Sequence, residues 1–303
     1  MNNHLLNVDL NLLKTLDVLL DERSVTRAAE RLSLTQPAVS GMLTRLRESF
    51  DDPLFIRAQR GIVPTLRALE LAGPVKAILA EVGELLQPQQ FDPALSQMTL
   101  HVAATDYALS AVIVPFIAHL RCEAPGIRVA VVPVNTETLS GQFEHGEVDV
   151  ALLTPETTPP TLHTRHLFDE EYVCLLSENH PLAGSATLSL NAFCALDHAL
   201  VSWPGGNFHG VTDQALAAIG RARRVTLSVC SFLVLPEILR VTDLVSVVPK
   251  RLAIDTTGLI MLPAPLIIPG FSKNMAWHDR THHHKGHEWL RERLASVAKT
   301  VVC

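Results

Sequence analysis

The stretch Ser24 to Arg47, SVTRAAERLSLTQPAVSGMLTRLR, constrains the fold more than any other segment, because it reads as two short helices around a tight turn. Val25, Ala28, Ala29 and Leu32 give the first helix a narrow apolar stripe, and the paired alanines let a second helix approach closely. Leu34 and Thr35 interrupt the pattern. Thr35 suits an N-cap and Pro37 a first helical turn, where a missing N–H is no loss. Val39, Leu43, Leu46 and Phe50 then mark one core face of the second helix. At about 100° per residue the opposite face carries Pro37, Gly41, Thr44 and Arg45, with Ser40 beside it and Gln36 at the exposed start. A short helix with one apolar stripe and a Gln, Ser, Thr and Arg face fits a DNA major groove. The same pattern also fits an ordinary αα-hairpin with a solvated polar face.

At 303 residues and 48% hydrophobic, the chain is expected to build two or three globular domains. No apolar run approaches the ~20 residues needed to span a bilayer. MNNHLLNVDLNLL lacks the basic and apolar regions of a signal peptide. The cysteines, Cys122, Cys174, Cys194, Cys230 and Cys303, are odd in number and form no C-x-x-C pair, which fits a reducing cytoplasm. A net charge of −6 offers no non-specific affinity for nucleic acid, and residues 1–66 carry as many acidic as basic side chains. DNA binding would therefore depend on a local basic face.

Asp9 to Leu20 supplies a helix ahead of this pair. After it, DDPLFIRAQRGIVPT predicts a β-hairpin, with turns at Asp52-Pro53 and near Arg60-Gly61, and with Arg57 and Arg60 on it. Three helices plus a hairpin describe a winged helix, whose wing places Arg against phosphate or in the minor groove. Leu71, Val75, Ile78, Val82 and Leu85 then recur at heptad spacing in a helix over 66–86, kinked at Gly73-Pro74. Its place between two compositions favours a dimerisation helix over packing on its own domain, and the Pro- and Gln-rich 87–97 is a linker. Beyond Met98, strands and helices alternate: strands near 99–104, 127–133, 148–153, 172–176, 199–202, 225–229 and 244–248, helices near 108–121, 137–145, 212–219 and 232–241. That alternation predicts an α/β region with mostly parallel sheets, two lobes and a cleft at the strand carboxyl ends.

The wording DLNLL, RAAERLSLTQPAVSGMLTRLRE and DDPLF-x-R-x2-RG-x2-PT, with Trp277-His278 and Trp289-Leu290-Arg291 near the end, resembles the LysR-type transcriptional regulators. LFDEEYVCLLSENHPLA resembles their branch of nodulation-gene and nitroaromatic-responsive regulators. The resemblance implies a winged helix-turn-helix domain (1–66), a linker helix (67–90) and a periplasmic-binding-protein-like effector domain (91–303). The effector domain would have lobe I at about 96–168 and 272–303, and lobe II at about 169–271. It implies that Gln36, Pro37 and Ser40 meet base edges and that Arg57 meets the minor groove. With Thr44, Arg45 and Arg60 these form the expected DNA-binding set. Gly41 departs from the larger polar residue common at that position and removes one contact. Also implied are a cytoplasmic homotetramer built as a dimer of dimers on an interrupted palindrome, contact with RNA polymerase, and no membrane, cofactor or catalysis.

The expected cleft residues lie at strand ends and helix starts: Thr105, Asp106 and Tyr107 after the first strand, Asn135 after the second, Ser202 and Trp203, and Ser231 and Phe232. The loop WPGGNFHG adds Asn207 and His209. Such a set suits a small aromatic or carboxylated effector. Singly, each has a structural reading as cap or core. The run His282-His283-His284-x-x-His287 is the rival chemistry, since His284 and His287 share a helix face and could hold Zn²⁺ or Ni²⁺. With no acidic or Cys ligand at fixed spacing, a solvated loop is favoured and no metal is expected. There is no Gly-rich phosphate loop and no G-x-S-x-G. The second reading is a metal- or ligand-binding α/β protein whose N-terminal helices only mediate association, its enzymatic form resting on architecture alone.

Overall fold

The computed structural model describes residues 9–59, 61–86, 90–202, 205–253 and 257–300, which excludes Arg60 and Trp203. The chain divides into two compact units, residues 1–89 and 90–303.

In the first unit each helix starts on a side-chain cap. Asp9 accepts the Asn11 N–H before α1 (Leu10–Glu22), Ser24 that of Arg27 before α2 (Val25–Leu32), and Thr35 that of Ala38 before α3 (Gln36–Phe50). Such caps contribute about 1 kcal/mol each. Leu12, Leu16 and Leu19 of α1, Ala28 and Ala29 of α2, and Val39, Leu43 and Leu46 of α3 meet in one core. Burying each leucine contributes roughly 2 kcal/mol. The wing pairs β1 (Phe55–Ala58) antiparallel to β2 (Gly61–Pro64), with Ala58 opposite Gly61. Gly61 has φ +100°, and a Cβ there would stand 2.4 Å from the Arg23 carbonyl oxygen, which accepts the Ile62 N–H. Only glycine lets the wing lie this close to the α1–α2 turn.

The helix α4 (Leu66–Leu85) follows. Its heptad seam is divided: Val75 is buried and Leu71 half-buried in the core of their own unit, with Ala68 and Leu79, because α4 packs on α1. Ile78 and Leu85 are 44% and 83% exposed. The first half of the seam is thus intradomain packing.

The second unit holds two five-stranded sheets. From β3 (Thr99–Ala103) the chain runs through α5 (Asp106–Ala108), a π-helical turn (Leu109–Ile113), α6 (Val114–Glu123), β4 (Arg128–Val132), α7 (Leu139–His145), β5 (Val150–Leu153) and β6 (His163–Glu170). The π turn sits where Pro115, which has no N–H, removes the α-helical bond to the Ala111 carbonyl. The chain crosses into β7 (Tyr172–Ser177), α8 (Leu190–Ala195), β8 (Asp197–Val201), α9 (Val211–Ala218), β9 (Arg224–Val229), α10 (Leu235–Arg240), β10 (Val245–Pro249), a 3-10 turn (Lys250–Ala253) and β11 (Leu259–Pro263). It returns through β12 (Phe271–Trp277) to α11 (Lys285–Thr300).

The first sheet is ordered β4-β3-β5-β12-β6 and the second β11-β7-β10-β8-β9. Both are mixed rather than mostly parallel: β3–β4, β3–β5, β8–β10 and β8–β9 are parallel, while β12 and β7 run antiparallel to both neighbours. The antiparallel strands lie beside the two points where the chain changes sheet, with no crossover helix to enforce parallel pairing. The predicted helix near 232 begins only at Leu235, with Pro236 in its first turn, so Ser231 does not cap it.

Candidate nucleic-acid interface and ligand cleft

On α3, Val39, Leu43 and Leu46 face the core, while Gln36, Pro37, Ser40, Gly41, Thr44 and Arg45 are exposed. A Cβ on Gly41 would meet nothing within 4 Å, so the gap in this face comes from sequence, not from packing. The Thr44 hydroxyl donates to the Ser40 carbonyl at 3.1 Å, and Arg45 lies 3.7 Å from the Asp9 carboxylate. Arg27 and Arg31 are engaged by Asp21 and Glu22. Arg47 donates to the Pro53 and Phe55 carbonyls at 2.8 and 3.0 Å, pinning the wing to the end of α3. Arg57 is exposed on the wing and, among the described residues, its side chain has no hydrogen-bond or ion-pair partner; the side chains of Lys14 and Arg23 are similarly unpaired. A near-neutral unit therefore keeps a few free cations, one of them on the wing. Arg60 lies outside the described residues.

In the second unit, Thr105 caps α5 by accepting the Ala108 N–H. Asp106 accepts the Tyr107 N–H at 2.7 Å through one oxygen and the Phe232 N–H at 2.6 Å through the other. This carboxylate joins the loop after β3 to the loop after β9, one from each sheet. Tyr107 packs edge-on against Phe232 and Phe271, with ring centres 6.1 and 5.6 Å apart. The structure thus brings Thr105, Tyr107 and Phe232 together.

The other expected residues are arranged differently. Ser202 is buried at the end of β8, its N–H on the Val229 carbonyl at 2.8 Å. Ser231 accepts the Leu233 N–H in a turn. Asn135 is exposed and accepts the Glu137 N–H, and Asn207 accepts that of His209 in an exposed loop. The Ser231, Asn135 and Asn207 side-chain bonds are turn contacts within single loops, whereas the Ser202 bond continues the β8–β9 pairing. Trp203 lies outside the described residues.

Sequence reasoning missed the charged groups around Tyr107. Its hydroxyl donates to Glu170, the last residue of β6, and burial together with that carboxylate pushes the phenol far above its usual range. The Glu170 carboxylate lies 3.7 Å from the buried Arg251, whose guanidinium stacks 3.6 Å over Phe168 and donates to the Ala298 carbonyl at 3.1 Å. Lys273 of β12 is only 4% exposed. Its ammonium donates to the Leu152 carbonyl at 3.4 Å and stands 5.7 and 6.0 Å from the Tyr107 and Phe271 ring centres. Among the described residues no carboxylate lies within ion-pair distance of it, and burial pulls its pKa down to about 8. A buried cation without a counter-ion is costly. The sequence signal was present but faint: charged residues inside the strands HTRHLFDE and FSKNMAW.

Among the described residues no group of three or more His, Cys, Asp or Glu side chains is placed to hold a metal. The histidine run is also less solvated than expected. His282 is half-buried and accepts the Trp277 indole N–H at 3.1 Å, while His287 lies on α11, 3.9 Å from Asp149. No helix among the described residues is long and apolar enough to cross a membrane.

The bacterial regulatory helix-turn-helix protein, lysR family, matches residues 10–69, and the LysR substrate binding domain matches residues 93–299. The HTH-type transcriptional activator NagR of a Ralstonia species is 38% identical over 94% of this chain and 96% of its own. The HTH-type transcriptional activator NahR of Pseudomonas putida is 36% identical with the same coverage. The crystal structure of a probable transcriptional regulator from Pseudomonas aeruginosa is 33% identical, has a TM-score of 0.59, and covers 96% of this chain and 98% of that one.

Proposed function

The chain belongs to the LysR family, as a ligand-responsive transcriptional regulator with a helix-turn-helix DNA-binding domain and an effector-binding domain, and from that premise we propose how its residues divide the work. Gln36, Pro37 and Ser40 read base edges, Thr44 and Arg45 flank them, and Arg57 of the wing reaches the minor groove or phosphate. The exposure of this face and the unpaired Arg57 support that assignment. The effector domain performs no chemistry on its ligand; it binds one arrangement of the lobes better than the other.

The effector is a small aromatic acid. One observation carries this reading: the buried, carboxylate-free ammonium of Lys273 lies beside the rings of Tyr107 and Phe271, next to the Asp106–Phe232 bridge between the lobes. A ligand carboxylate would supply the missing counter-charge, and its ring would take the place among the aromatic side chains. The regulator works in the cytoplasm as a homo-oligomer, a dimer of dimers in contact with RNA polymerase. Ile78 and Leu85 of α4 offer one apolar contact, and Val114 and Ile117 of α6 with Val131 on the edge strand β4 offer a second.

The test is a thermal-shift panel on the full chain, using aromatic carboxylates and the matching neutral amides. A ligand that binds only the native state raises the melting temperature. Carboxylates should stabilise the wild type and not Lys273→Met, while the amides do neither. Equal stabilisation by acid and amide, or an undiminished response in Lys273→Met, would overturn the assignment.

A further inference from the structure

Gly41 is the sixth residue of the fifteen-residue helix α3, and nothing in the fold requires a glycine there. At Gly61, Gly126 and Gly270 a Cβ would stand 2.1–2.5 Å from a backbone carbonyl oxygen, and Gly146 has φ +79°. Gly41 has neither reason: its backbone is helical, and a Cβ would meet nothing within 4 Å. Apart from proline, glycine is the least favourable residue in a helix interior, so it weakens the free helix for no gain in packing. It is also the residue that lets a backbone approach a ligand closely.

On the exposed side of α3, Gly41 lies between Pro37, one turn before it, and Thr44, one turn after. None of the three has a side-chain donor to spare for a base, since the Thr44 hydroxyl is spent on the Ser40 carbonyl at 3.1 Å. The strip is shallow and uncharged, with Gln36 and Ser40 on one side and Arg45, 3.7 Å from Asp9, on the other. A helix with its side chains measures about 10–12 Å across, and the major groove is about 12 Å wide and about 8.5 Å deep. At so close a fit, a side chain at the centre of the face holds the helix away from the bases. Without one, the backbone sits deeper. Glu48, seven residues on, falls on the same face, is exposed, and its side chain has no partner among the described residues. Its charge repels phosphate and confines close contact to the first two turns, where Gly41 lies.

We propose that Gly41 sets the depth of α3 in the major groove: the helix backbone at this position lies in van der Waals contact with a base edge, and that contact, not a side-chain hydrogen bond, supplies discrimination there. The inference rests on the assignment of α3 to the groove. The deep seat also brings Gln36 and Ser40, the polar side chains beside the strip, within reach of base edges, and any side chain at position 41 lifts both away.

The probe is a duplex enriched from a random-sequence pool by the full-length wild type, with its scrambled counterpart as reference. Gly41→Ala should raise the melting temperature of the free protein by a few degrees, because alanine favours the helix and finds open space. The same variant should bind the enriched duplex about tenfold more weakly, because a methyl group forced into a packed contact must push the helix out, and should bind the scrambled duplex as before. Stability and binding then move in opposite directions, which no folding defect reproduces. Gly141→Ala, at an equally open position of α7 (Leu139–His145), is the control and should leave both affinities unchanged. Wild-type affinity of Gly41→Ala for the enriched duplex, an equal loss on both duplexes, or a lower melting temperature would overturn the proposal. If Gln36→Ala and Arg57→Ala still lose affinity in that case, only the role of Gly41 fails. If they too bind as the wild type does, or no duplex is enriched, the placement of α3 in the groove fails with it.

Discussion

Lys273→Met should make the ligand-free protein more stable while silencing its response. At 4% exposure the ammonium meets one carbonyl at 3.4 Å and no carboxylate among the described residues, and its pKa falls from 10.5 to about 8 because burial disfavours the charge. One pKa unit is worth about 1.4 kcal/mol, so the charged form costs the fold up to about 3 kcal/mol. The direction with pH follows from proton counts. Between pH 8 and 10.5 the unfolded chain binds the proton more tightly than the folded one, so stability from this group rises with pH across that window. Below pH 8 the whole penalty stands. Methionine fills a similar volume without the charge and removes both the penalty and the pH-dependent rise. Urea denaturation of wild type and variant at pH 7 and pH 10.5 measures both effects. The variant should be the more stable at pH 7, by up to about 3 kcal/mol, and the gap should shrink at pH 10.5. A variant that is less stable at both pH values, or a gap independent of pH, would refute the claim that an unpaired charge is buried there.

Gln36→Ala should lose about 1–3 kcal/mol of discrimination at a single base position, and Arg57→Ala should reduce the salt slope of operator binding by about one. Fluorescence anisotropy with operator and scrambled DNA checks both, and unchanged binding in the two variants sinks the assignment. Ile78→Asp with Leu85→Asp should dissociate the oligomer in sedimentation without lowering the melting temperature, since both side chains are exposed, whereas Val75→Asp should unfold the first unit. An unaltered sedimentation coefficient in the double variant would show that α4 does not pair. His198 is fully buried; its ring donates to the Phe193 carbonyl at 2.8 Å and faces Arg223, and burial lowers its pKa from 6.5 to about 4. Above pH 6.5 it is neutral in both states and costs nothing. From pH 6.5 down to about 4 only the unfolded chain takes the proton, so up to about 3 kcal/mol is lost in that window. His198→Gln should flatten this acid limb in pH-dependent denaturation, and an identical limb would count against it.

The DNA-binding unit was legible in the order of its amino acids. Caps at Asp9, Ser24 and Thr35, the stripe Val39, Leu43 and Leu46, and the Arg60-Gly61 turn signal each act within a few residues. Short-range patterns survive in one dimension because the physics that fixes them is local. The same reasoning located most of the βα alternation but not β6, β11 or β12. His163–Glu170 and Phe271–Trp277 carry charges that blur the period of a strand.

Tertiary structure alone decided where those charges go. Tyr107, Glu170, Arg251 and Lys273 are scattered across the effector domain in sequence, and only the two sheet crossings bring them to one place. It also decided which half of the α4 heptad is spent on its own domain. Leu71, Val75, Ile78 and Leu85 belong to one heptad seam, but α1 covers only the first two. Periodicity fixes which side of a helix is apolar. What covers that side, and whether a buried charge finds a partner, depends on residues the chain reaches only by folding.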